Sequence, residues 1–129
     1  MKPAIRHFRS TSLEIDDNDI IYCRAIANDT YNESDLAALR DEMISISKGE
    51  PFFIVMEMKE FEILLTRKAR TFLGNDQKSA EFVKAEAIVL QSNTVRILFN
   101  LLTIVNKPQF PFRAFNKEIE AIEWLKSFQ

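Results

Sequence analysis

Residues 51–58 read PFFIVMEM, and the fold is decided by this run. Pro51 follows Lys48-Gly49, a pair that stops a helix, so a new element begins here. Five apolar side chains stand in a row from Phe52 to Met56 with no polar alternation. A strand with one wet face alternates, and one that does not is covered on both sides. The run is therefore expected as the central strand of a sheet.

Working outward, residues 32–51 (NESDLAALRDEMISISKGEP) carry Leu36, Leu39, Met43 and Ile46 at helical spacing, with polar capping residues before them. Upstream, TSLEIDDNDIIYCRAIA (11–27) sets two β-prone runs on either side of Asp16-Asp17-Asn18-Asp19, whose side chains favour a turn, which predicts an antiparallel hairpin. Downstream, a helix is expected from about Thr66, interrupted at Gly74-Asn75 and resuming over QKSAEFVK. AEAIVLQ (85–91) reads as a second buried strand, and Ser92 caps a helix that Asn106-Lys107-Pro108 ends. FPFRAF (110–115) is a short last strand, after which Asn116 is expected to cap a terminal helix. There Ala121, Ile122, Leu125 and Phe128 share one face, and Trp124 at its margin needs a partner for its indole N–H. This order predicts an α/β fold: a mixed sheet of four to five strands, with an N-terminal hairpin and a parallel centre, flanked by about four helices.

The 129 residues are expected as one domain, 1–129, able to fold without disulfides or metals. Lys plus Arg nearly balance Asp plus Glu, and a net charge of −2 supplies no footprint for nucleic acid. The single cysteine, Cys23, fits a reducing compartment. No apolar run has the length of a signal peptide or a membrane span, so a cytoplasmic protein, not an integral membrane one, is expected. Glycine-rich phosphate loops and Cys or His spacings for metal are missing from the sequence, so no cofactor and no metal is expected.

KARTFL (68–73), KAEAIVLQSNTVRILFNLLTIVNKPQFPFRAF (84–115) and EIEAIEWL (118–125) resemble the small bacterial proteins called STAS-like or SpoIIAA-like, related in fold to CRAL-TRIO lipid-exchange domains. The marks are Ala69-Arg70, Ala87, Ser92, Asn100, Asn106-Lys107-Pro108, Pro111, Phe115, Glu120-Ala121 and Trp124-Leu125. The resemblance implies a STAS-like sheet and a family mostly without assigned function. In STAS domains of anti-sigma-factor antagonists a serine in an Asp-Ser-Ser-Gly motif, at the start of the helix after the central strand, is phosphorylated. The comparable stretch here is Leu64-Leu65-Thr66-Arg67-Lys68, so Thr66 alone keeps a hydroxyl and the aspartate and glycine are lost. Thr66 is thus the candidate switch or an ordinary helix cap.

Four further sets of residues are candidates. Glu57, Lys59 and Glu60 follow the central strand and Gln91, Ser92 and Asn93 the next, where a crevice beyond parallel strand ends takes ligands or partners. Phe61, Phe72, Phe99, Phe112 and Trp124 either fill a core or line an apolar pocket, as the lipid-exchange relatives suggest. On the helix 93–105 the apolar arc exceeds what one sheet face covers, which nominates Leu98, Leu101, Leu102 and Val105 for a homodimer interface unless the terminal helix covers them. His7 and Cys23 fall on predicted strands and could meet across a hairpin, but no oxyanion-hole signal accompanies them. The reading is a non-enzymatic STAS-like regulatory or protein-interaction module with an unidentified protein partner, expected as a homodimer; the alternative is a binder of a small apolar, lipid-like ligand.

Overall fold

The computed structural model describes residues 5–105 and 108–129, the side chains of residues 102–105 excepted. Eight strands and five helices alternate along the described residues: β1 (Arg6–Phe8), β2 (Thr11–Ile15), β3 (Ile20–Ala25), β4 (Asp29–Tyr31), α1 (Glu33–Ile46), β5 (Phe52–Met58), β6 (Ile63–Leu65), α2 (Arg67–Asn75), α3 (Gln77–Phe82), β7 (Val83–Leu90), α4 (Asn93–Val105), β8 (Phe112–Phe115) and α5 (Glu118–Lys126). Six strands form one sheet in the order β1-β2-β3-β5-β7-β8, while β4 and β6 make a separate parallel pair. The fold class is as expected; among the described residues the main sheet has six strands where four to five were expected, five helices form where about four were expected, and α2 and α3 meet near the expected break at Gly74-Asn75.

The hairpin lies where Asp16 directs it: its carboxylate accepts from the backbone N–H groups of Asn18 (2.8 Å) and Ile20 (3.0 Å), and β2 and β3 run antiparallel. β5 sits between β3 and β7, parallel to both, which is why its apolar run needs cover on two faces. Asn32 and Asp35 form a reciprocal cap at the start of α1, and Gly49, at φ +78°, ends it by donating to the carbonyl of Ile44. Asp76 both ends α2 and caps α3, and its two oxygens accept from one guanidinium nitrogen of Arg40 at 2.8 Å, locking α1 to that corner.

Two corrections concern the C-terminal helix. α5 begins after Lys117 with no side-chain cap, because Asn116 turns to the sheet and donates to the carbonyl of Leu90 (3.0 Å). Leu125 and Ala121 are buried against Phe53, Val55 and Val89, but Phe128 is 44% exposed and meets Trp124 edge-on instead of packing on the sheet.

The pairing of β5 with β7 slips at one place: Phe52 faces Val83, yet Phe53 faces Ala85. Lys84 is the extra residue, a β-bulge, so Val83 and Glu86 point to the same side of the sheet although three positions separate them. One sheet face, with Phe53, Val55, Ala85 and Ala87, is covered by α5. On its open part Arg24 gathers Glu14 (3.4 Å), Glu57 (3.0 Å) and Glu118 (2.8 Å). The other face carries α1 and α2 over one half and α4 over the other, and its buried side chains fall into two separate clusters, with Met56 and Met58 touching both. No described helix is long and apolar enough to cross a membrane.

Candidate functional site

Between those two clusters lies a cavity of about 640 Å³. The inward residues of β5 (Ile54, Met56 and Met58) and of β7 (Glu86, Ile88 and Leu90) form its floor, with Phe112 of β8. α1 and α2 supply one wall through Leu36, Leu39, Met43 and Phe72, and α4 supplies the other through Val95 and Phe99. The size lies within the range of small-molecule sites, about 300 to 1,000 Å³. Methionines on the floor make it adaptable, since their unbranched chains repack at little cost.

The polar groups in this wall are nearly all engaged. Tyr31 donates to the carbonyl of Phe8 (3.0 Å) and its hydroxyl lies 3.3 Å from that of Thr11; Ser79 donates to Asp76; Arg40 holds Asp76 and Asp41. Glu86 differs. Its neighbours across the sheet are Ile54 and Phe112, both apolar, and no hydrogen bond or ion pair to its carboxyl is found among the described residues. Burial alone raises it from the ordinary 4.5 to about 7. Cys23, buried on the same face, is pushed up to about 12, first by burial and then by the nearby Glu86, so it stays a neutral thiol.

A second, more polar hollow opens beyond the carboxyl ends of the strands, lined by Asn28, Asp29, Thr30, Lys59, Glu60, Glu62, Leu64 and Gln91. Of the six residues expected at that crevice, Lys59, Glu60 and Gln91 line it. Glu57 is instead bound by Arg24 on the opposite face, and the Ser92 hydroxyl accepts from Val95 N–H (3.3 Å) at the start of α4, next to Asn93.

Of the five aromatics considered together, Phe72, Phe99 and Phe112 line the cavity, with Phe99 and Phe112 stacked at 6.0 Å. Phe61 is not in its lining, and Trp124 lies across the sheet against Phe115. The Thr66 hydroxyl accepts from Ala69 N–H (3.1 Å), so it works as the cap of α2. On α4, Val95, Ile97, Leu98 and Leu101 are 41–54% exposed, and α5, on the other sheet face, does not cover them; the side chains of Leu102 and Val105 lie outside the described residues. His7 and Cys23 do not meet: β2 separates their strands, and His7 pairs with Ser12 on the opposite face from Cys23. Glu86 was missed by the sequence reading. Its signal was a lone carboxylate inside an apolar strand.

Residues 13–129 match the family model DUF7793, a domain of unknown function. No functionally curated protein matches the chain. Among solved structures, an uncharacterised protein of the DUF3478 family with a SpoIIAA-like fold, from Shewanella loihica PV-4, is similar at a TM-score of 0.60 and 18% identity, over 96% of this chain and 94% of that one. The fold is thus SpoIIAA-like.

Proposed function

The chain belongs to the DUF7793 family, a domain of unknown function, and from its cavity we propose that it is a non-catalytic binder of a small, largely apolar molecule. The observation that carries this reading is the unfilled volume between the two clusters on one sheet face, walled by aliphatic, methionine and phenylalanine side chains. A side-chain set serving only as core would close to crystal-like density with few voids larger than a water molecule. Phosphorylation switching has less support, because the Thr66 hydroxyl is already committed to Ala69 N–H. Catalysis requires a nucleophile, a base and an orienting group in one place; inside the cavity Glu86 stands among apolar neighbours, with Glu62 at the exposed rim and the neutral Cys23 thiol outside the lining.

A neutral fluorescent probe, N-phenyl-1-naphthylamine, tests the reading. It is expected to bind the wild type and to be excluded by Met56→Trp, whose indole would occupy the floor. Equal probe emission with and without the protein would remove the cavity as a binding site.

A second reading, a homodimer through α4, is favoured by the exposed row Val95, Ile97, Leu98 and Leu101. Arg96 is the one charged residue from Asn93 to Leu101, and its Nε is buried. A second copy of the same face would meet this row with little like-charge repulsion, as an isologous contact requires.

A further inference from the structure

The cavity holds one polar group whose chemistry is unspent. Glu86 stands in the middle of the sheet with Ile54 on one side and Phe112 on the other, facing the volume enclosed by α1, α2 and α4. Each of the other half-buried or buried polar side chains in the lining has a protein partner: Thr11 with Phe8, Tyr31 with Phe8, Ser79 with Asp76 and Arg40 with Asp76. Arg70 and Glu62 are exposed at the rim, and Arg70 donates to the carbonyl of Leu65.

The charge of the bound molecule follows from elimination. A wholly apolar occupant would cover the carboxyl and leave it dry and unpaired, which is costly. An anionic head inside the cavity would meet the same carboxyl, while Arg40 is held by Asp76 and Asp41 and Arg70 stays at the exposed rim, donating to the Leu65 carbonyl. A head that donates hydrogen bonds and carries positive charge satisfies the carboxylate, and charge-assisted bonds of this kind are the stronger class. Resting on the cavity reading above, we infer that the ligand is a cationic amphiphile, whose ammonium group donates to the Glu86 carboxylate while its hydrocarbon part lies along Met56, Ile88, Phe99 and Phe112.

Calorimetric titration of the whole protein with octylammonium and octanoate below their micellar concentrations, and with octanol below its solubility limit, separates the two levels. Octanol binding supports the cavity, and octylammonium binding about tenfold tighter than octanol supports the inference, tenfold being about 1.4 kcal/mol. The Glu86→Gln variant keeps the shape and hydrogen-bonding capacity but not the charge; it should hold octanol as the wild type does and lose the ammonium preference. Octanol and octylammonium binding equally, or octanoate binding tightest, would overturn the amine assignment and leave the cavity standing. Binding by none of the three would overturn both. The wild-type series alone is decisive if the variant does not fold.

Discussion

The side-chain amide of Asn100 behaves as a short piece of strand: it donates to the Ala114 carbonyl (3.1 Å) and accepts from the Ala114 N–H (2.8 Å). β8 is the edge of the sheet, and Ala114 is 1% exposed, so these backbone groups have no water to turn to. The same two bonds fix α4 against β8 and set the position of one cavity wall. Asn100→Ala should cost about 1 to 3 kcal/mol for each group left unpaired. Urea unfolding reads the loss, and a midpoint equal to the wild type would show that the edge is satisfied in another way.

Leu125 and Phe128 should respond oppositely to truncation. Leu125 is fully buried among Phe53, Val55 and Val89, so Leu125→Ala should destabilise by about 2 to 5 kcal/mol. Phe128 is half in water and touches Trp124 alone among the described aromatics, so Phe128→Ala should cost about 1 kcal/mol or less. Comparable losses from the two would mean that the chain end packs more tightly than its exposure indicates.

Stability should depend on pH through Glu86. Below about 4.5 the folded and unfolded chains both hold the proton, and the group costs nothing. Between there and about 7 the folded chain keeps a proton that the unfolded chain has lost, so stability falls as pH rises; above 7 a half-buried carboxylate with no protein partner among the described residues remains. At about 1.36 kcal/mol per pKa unit, the rise from 4.5 to about 7 gives about 3 kcal/mol. Glu86→Gln should therefore gain about that much on the wild type between pH 4.5 and pH 8. Parallel stability curves would place Glu86 in contact with water.

Leu101→Glu tests the α4 face. The residue is 54% exposed, so folding stability should change by about 0.5 kcal/mol or less, while a homodimer built there should dissociate. Light scattering at tens of micromolar reads the mass. A wild-type monomer removes the dimer, and a variant that stays dimeric moves the interface elsewhere.

The parts of the fold legible in the sequence are those where a local rule and the tertiary environment agree. Phe52–Met56 announced a strand covered on both faces, Asp16–Asp19 a turn, and Thr66 and Ser92 helix starts, and each element forms there. Arg6–Phe8 forms the strand expected around His7, but its place at the sheet edge comes only from pairing with β2. Asn116 is a good cap by type, yet the Leu90 carbonyl, distant in sequence, takes its amide. The cavity was not readable because an aromatic that fills a core and one that lines a void share the same pattern; Phe72 and Trp124 were equal candidates until the sheet put them on opposite faces.

The extra residue at the start of β7 also governs where charge can go. In a regular strand Lys84 and Glu86, two apart, would stand on one face, near enough for the ammonium to neutralise the acid. The bulge turns Lys84 to the α5 side, where its Nζ lies 5.3 Å from the Phe53 ring centre. The sheet itself then separates the acid from its nearest cation in sequence, and no ion pair to Glu86 forms among the described residues.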